Sequence, residues 1–390
     1  GLEDKYLPLL EKNQEDLSEK EQKRITKGSY MMNFPERHVV APLTEKLYQK
    51  ADMEKIQLNG TFELSPVCNF SCRMCYVRKT QKEVAMHDRK MVTLEQWIQI
   101  GKEARDEGML YLLLTGGEPL LWPDFWKLYD ALYEMGLLLS VNTNGSLINE
   151  EVLEKWKTRP PYRVNITLYG ATDETYEALC HARNVCSRVK NAIIKMKEAG
   201  LNVKLNCSLT PYNASDLQEM VEFAKEKKVQ LTVSTYMYPP VRRNADMTGK
   251  NDRFLPEDAA WYHMQRYRYQ KGEDAYVEFL ENIQKKMIIP LGLDENCVDM
   301  KDGRIRCRAG TSTFWITWDG YMTPCGMMPE PKVDMQELDF TEAWKNLLEV
   351  SSKLHTSSVC EKCPNQSMCH SCAAMAYAET GMTSEVPKYL

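Results

Sequence analysis

Three cysteines carry the densest chemical signal in the chain. Cys68, Cys72 and Cys75 lie in the run Ser65-Pro66-Val67-Cys68-Asn69-Phe70-Ser71-Cys72-Arg73-Met74-Cys75-Tyr76. Their C-x3-C-x2-C spacing fits three irons of a four-iron cube. The fourth iron is left without a protein ligand, open to a substrate or cofactor as a catalytic zinc position is. The same residues also fit a zinc site lacking its fourth ligand, or buried free thiols. A second cysteine-rich stretch begins at Cys297. It continues through Cys307, through Cys325 with four residues between it and Gly320, and into Cys360-x2-Cys363-x5-Cys369-x2-Cys372. Paired C-x2-C knuckles are equally the mark of structural zinc. Thirteen cysteines without a secretion signal argue for metal ligation in a reducing cytoplasm over a disulfide framework. Cys207 reads as a small core residue, the six histidines form no ligand pair, and the 22 methionines read as core filler.

These residues need a scaffold, and the hydrophobic pattern supplies one. Short apolar runs at 61–64, 110–114, 137–142, 163–168, 202–208 and 230–235 read as strands. Amphipathic stretches at 94–107, 123–134, 149–157, 185–198 and 214–226 read as helices between them. Strand-then-helix repetition implies a parallel sheet. Six units predict an α/β fold, a partial (β/α)6 TIM-type barrel, with function at the C-terminal strand ends. Residues 1–58 read as a charged helical extension, 59–240 as the barrel and 241–292 as a linker with helices near 257–271 and 274–287. Residues 293–390 read as a cysteine-rich domain. The aromatic and basic run 261–269 reads as a half-buried helix with its arginines outside. A net charge of −5 gives no whole-chain nucleic-acid signature, and no apolar run is long enough to span a bilayer.

The triad, with Thr115-Gly116-Gly117-Glu118-Pro119 one β/α unit later, resembles the radical S-adenosylmethionine (SAM) superfamily. The resemblance implies a 4Fe-4S cluster at the triad and SAM as cofactor. It places Gly116, Gly117 and Glu118 at the SAM amino group. Asn144 of Asn142-Thr143-Asn144-Gly145 would reach the ribose or carboxylate, and Thr167 the carboxylate. Arg183 or Arg188 would pair with that carboxylate, and Tyr76 would line the adenine pocket. Ordinary turn and packing roles remain open for Asn144 and Tyr76. Tyr169 stands where relatives carry an acid. Cys180 and Cys186 are candidate hydrogen-atom donors to a substrate radical, with core or surface thiol the alternative.

The second stretch resembles the SPASM auxiliary iron–sulfur domain, departing by one residue between Cys369 and Cys372. The resemblance implies one or two auxiliary 4Fe-4S clusters. Cys360, Cys363 and Cys369 would serve one, with a further cysteine expected just beyond Leu390 where the sequence stops. Otherwise that site takes another ligand, keeps an open iron or is absent. Cys307, Cys325 and Cys372 would serve the other, with Cys297 or an open iron completing it. Enzymes of this type mostly modify peptides, so the expected function is maturation of a ribosomally made peptide by crosslink, thioether or side-chain oxidation. A reductase, flavodoxin or ferredoxin would supply electrons. The alternatives are a small-molecule radical SAM oxidoreductase and a zinc-stabilised binding protein.

Overall fold

A computed structural model describes residues 42–288, 307–361 and 372–389. Cys297, Cys363 and Cys369, and most of the N-terminal extension, lie outside the described residues. The chain opens with helix α1 (Pro42–Glu54) and strand β1 (Asn59–Glu63). It then alternates α2 (Leu94–Asp106), β2 (Tyr111–Thr115), α3 (Phe125–Glu134), β3 (Leu138–Thr143), α4 (Glu150–Thr158) and β4 (Arg163–Thr167). Helices α5 (Asp173–Cys180) and α6 (Cys186–Glu198) lead to β5 (Val203–Ser208), α7 (Leu217–Glu226) and β6 (Gln230–Ser234). Helices α8 (Pro256–Lys271) and α9 (Glu273–Ile288) follow. The C-terminal unit is β7 (Thr313–Ile316), β8 (Tyr321–Thr323), β9 (Val333–Asp334), α10 (Phe340–Ser352) and α11 (Ala373–Thr380).

The strands form one sheet in the order β6-β5-β4-β3-β2-β1-β7-β8-β9. The six predicted barrel strands are all present and parallel. Burial alternates along them. Leu139, Val141, Val164, Ile166 and Leu205 are buried, whereas Asn142, Asn165, Thr167 and Asn206 between them are only half-buried. A parallel sheet covered on both faces reads as continuous apolar runs. This alternation therefore places the helices on one face and leaves a polar face inside an open barrel. Asn165 Nδ2 donates to Asn142 Oδ1 across that face at 2.8 Å.

The C-terminal unit continues this sheet. β7 pairs parallel with β1, Gly60 opposite Phe314, and β8 and β9 follow antiparallel. Phe314, Ile316, Phe340 and Leu347 share a core with the barrel residues Phe62, Trp97 and Leu132. Trp344 Nε1 donates to the Lys55 carbonyl at 2.9 Å, and the Phe340 amide to Glu103 at 3.0 Å. At the opposite edge the expectation for 261–269 needs correction. Arg268 is exposed, but Arg266 turns to the sheet and donates to the Val233 carbonyl at 2.9 Å. Gln270 does the same to Leu231 at 2.8 Å. The free edge of β6 offers unpaired carbonyls, so the helix satisfies them with its long polar side chains.

A Cβ on Gly60 would stand 2.5 Å from Phe314 Cζ and 2.7 Å from Met109 Sδ. Gly60→Ala should destabilise the β1–β7 seam by about 1–3 kcal/mol, read as a lower denaturation midpoint at unchanged slope.

Candidate active site

The triad loop is gripped from two sides. On one, the Gly117 amide donates to Ser65 O at 2.7 Å and the Glu118 amide to Val67 O at 3.0 Å. A Cβ on Gly116 would lie 2.4 Å from Ser65 O, and one on Gly117 2.3 Å from Val67 O. The two glycines thus make room for the backbone that leads into Cys68. On the other side the C-terminus of α5 offers its orphan carbonyls. The Ser71 amide donates to Cys180 O at 2.9 Å, the Arg73 amide to Leu179 O at 3.0 Å and Arg73 Nε to Ala178 O at 2.8 Å.

The sulfurs already accept hydrogen bonds. Phe70 N donates to Cys68 Sγ and Arg78 N to Cys75 Sγ, both at 3.3 Å, and Asn144 Nδ2 lies 3.7 Å from Cys68 Sγ. Burial pushes the Cys68 thiol up to about 12. Cys72 is raised by a hydrogen bond with the Cys180 thiol and then by burial, and Cys75 by burial. Loading a metal must therefore displace thiol protons. The three thiols sense one another electrostatically. Yet among the described residues no three Cys, His, Asp or Glu side chains converge tightly enough to hold a single metal ion.

Around the triad the strand ends deliver polar groups. Glu118 is fully buried and accepts from Thr143 Oγ1 at 2.8 Å, the Asn144 amide at 2.8 Å and the Leu120 amide at 3.2 Å. Its carboxylate thus ties the Gly-Gly-Glu-Pro turn to the end of β3. Asn144 Nδ2 also donates to Asn69 Oδ1 at 2.8 Å. The Thr167 hydroxyl is buried with no protein partner, as is Arg78 Nε. Arg78, three residues past Cys75 and attractive to the Cys72 sulfur, was not singled out in the sequence. Its proximity to the triad was the one available signal. The Tyr169 phenol is raised by burial and by Cys72, Cys180 and Cys75, which places it beside the triad. Arg183 is exposed and paired with Glu177, and Arg188 is also exposed, so neither is brought to the triad. Cys180 is buried against Cys72, whereas Cys186 is buried at the start of α6 with its sulfur 4.0 Å from Gly170 O.

The second set gathers as well. Cys307, Cys325 and Cys372 lie within electrostatic reach of one another, and burial lifts Cys325 to about 11. Met327 N donates to Cys325 Sγ at 3.5 Å and Met375 N to Cys372 Sγ at 3.4 Å. Cys360, the described member of the remaining set, is half-buried. Arg242 stands between the two gatherings. Its guanidinium makes two 3.0 Å bonds to Glu63, donates to Gly326 O at 2.7 Å and lies 5.9 Å from the Tyr76 ring. Tyr76 therefore faces the space between the two cysteine groups.

The donor set fits the implied cofactors: three thiols at a strand mouth, backbone N–H groups aimed at sulfur, and an orphan hydroxyl and guanidinium nitrogen nearby. The pattern of the Radical SAM superfamily matches residues 62–224. AdoMet-dependent heme synthase of Methanosarcina barkeri is 25% identical over 342 residues, spanning 84% of this chain and 94% of that protein. GTP 3',8-cyclase of Nautilia profundicola is 30% identical over 250 residues, spanning 60% of this chain and 74% of that protein. The crystal structure of Streptococcus suis SuiB bound to precursor peptide SuiA shares the fold. Its TM-score is 0.58 at 17% identity, over 97% of this chain and 86% of that one.

Burial raises Glu118 from 4.5 to about 7, although its three donors oppose the shift. The folded chain then binds the Glu118 proton more tightly than the unfolded chain does. Stability contributed here is greatest below about 4.5 and is lost as pH rises to about 7. Glu118→Gln should remove that slope from the metal-free protein, a difference on the order of 3 kcal/mol across the window, read from denaturation at a series of pH values.

Proposed function

The chain belongs to the radical SAM superfamily, and we propose that it abstracts a hydrogen atom from a peptide substrate during maturation of a ribosomally made peptide. When bound, the triad's four-iron cluster and SAM together supply a carbon radical that removes hydrogen from the substrate. The chain's own residues position and enclose that chemistry. Cys68, Cys72 and Cys75 hold three irons. Gly116, Gly117 and the C-terminus of α5 fix the loop that carries them. The Thr167 hydroxyl and Arg78 guanidinium meet the polar end of SAM, with Asn144 steering Cys68 from the end of β3. Tyr76 and Tyr169 wall the space and exclude water. Cys307, Cys325 and Cys372 hold an auxiliary cluster on the β7–β8 side of the same sheet.

The peptide reading is carried by the attachment of the second cysteine group. It rides on strands that extend the barrel sheet itself, and the likeness to a peptide-bound SuiB structure spans 97% of this chain. The half-buried Asn142, Asn165 and Asn206 along the polar barrel face offer the neutral hydrogen-bonding groups that suit amides. The small-molecule reading draws on the heme synthase alignment, which spans 94% of that protein.

The test is SAM cleavage by anaerobically reconstituted protein with a strong reductant, followed as 5′-deoxyadenosine. Wild type should form it, and Cys72→Ala should reduce it at least tenfold. Candidate peptides from neighbouring reading frames should raise the yield and gain a mass change consistent with hydrogen loss. Cleavage stimulated only by a small molecule would overturn the peptide reading, and no cleavage by iron-loaded protein would overturn the radical one.

A further inference from the structure

Tyr238 lies just beyond β6, immediately before Pro239-Pro240. The structure sets its phenol oxygen 3.6 Å from Cys372 Sγ. Among the described residues Cys372 is that hydroxyl's hydrogen-bond partner. The ring is braced. Its backbone carbonyl accepts from Asn251 Nδ2 at 2.7 Å, and its edge meets the Tyr236 ring at 4.9 Å. Tyr236 in turn donates to Glu379 at 2.6 Å, and Arg253 clamps that carboxylate with bonds of 2.5 and 2.9 Å. Around the contact Met328, Ala373 and Ala374 form a small apolar cluster, against which Tyr238, Cys325, Met327, Leu354 and Cys372 pack.

The direction of the hydrogen bond follows from metal chemistry. A cysteine that ligates iron has lost its proton. The one hydrogen left between the two atoms is then the phenol's, so Tyr238 donates. Cys372 Sγ also accepts the Met375 amide at the start of α11. That sulfur thus takes two donors, one of them a side chain reaching across from the barrel. Hydrogen bonds to ligand sulfurs withdraw electron density and favour the reduced cluster.

We propose that Tyr238 is a positioning residue for the auxiliary cluster: its hydroxyl donates to Cys372 Sγ, fixes that ligand and holds the cluster at a higher reduction potential. This rests on the reading that Cys307, Cys325 and Cys372 ligate an iron–sulfur cluster. The barrel, through the chain leaving β6, then tunes a cluster carried by the C-terminal unit. A merely structural tyrosine would leave the potential unmoved.

The experiment is an anaerobic redox titration of the reconstituted full chain, followed by electron paramagnetic resonance. Cys72→Ala and Cys372→Ala identify which signal belongs to which cysteine group. Tyr238→Phe should keep the wild-type iron content and move only the Cys372-dependent midpoint, to a more negative value. An unmoved midpoint at full iron overturns the proposal. Should Tyr238→Phe lose iron, 3,5-difluorotyrosine placed at position 238 decides. It is a more acidic donor of nearly the same shape and should move the midpoint upward, and no movement overturns the proposal. If Cys372→Ala removes neither iron nor signal, the auxiliary-cluster reading itself fails, and the role of Tyr238 with it.

Discussion

A buried ion pair joins the two halves of this molecule. Glu63 is the last residue of β1 and is fully buried, and its carboxylate takes both bonds from Arg242 plus one from Trp315 Nε1 at 2.9 Å. Arg242 comes from the chain beyond β6, Trp315 from β7, and the triad loop begins two residues after Glu63. Burying two charges is costly unless their remaining hydrogen-bonding capacity is met. Here the Gly326 carbonyl takes a further Arg242 proton, and Gly326 is the residue after Cys325. Losing one partner would strand the other charge, a change of about 3–5 kcal/mol at comparable sites. The pair therefore fixes how the second cysteine group sits against the first. A second strut runs parallel to it: Arg89 bonds Asp334 through both guanidinium ends and donates to Asp319 O at 2.9 Å.

With that junction set, the triad depends on backbone contacts. Two adjacent glycines let the β2 turn lie directly against Ser65–Val67, and the end of α5 accepts from Ser71 and Arg73. The loop is held without spending its sulfurs, which remain directed inward with N–H donors beside them. Glu118 then locks the β2 turn to the β3 end, so neighbouring strand ends move as one. The polar barrel face below supplies neutral hydrogen-bonding groups, as in the Asn165–Asn142 bond.

Much of this was legible in the sequence. The barrel strands alternate in burial and recur with helices between them, so local pattern located each to within a few residues. Cys307, Cys325 and Cys372 were grouped by resemblance, and the structure gathers them. The short helix Asp173–Cys180 was missed, being barely two turns long. So were β7 to β9, whose two to four residues pair with partners far away in sequence or across tight turns. Strand formation there is decided by tertiary context more than by propensity. Arg242 read as part of the linker, because nothing local marks a linker arginine for burial. Arg266 read as solvent-facing for the same reason: the sheet edge that claims it is formed by residues more than thirty positions earlier. Arg183 and Arg188 matched by order along the chain, but order does not say which way a side chain faces, and both face solvent.

The triad is proposed to hold a four-iron cube with one iron left for SAM. Mössbauer spectroscopy of 57Fe-reconstituted protein, with and without SAM, tests it most directly. Adding SAM should raise the isomer shift of a single iron site, and Cys72→Ala should abolish that change. Iron doublets indifferent to SAM, or a protein that takes up zinc in place of iron, would contradict it.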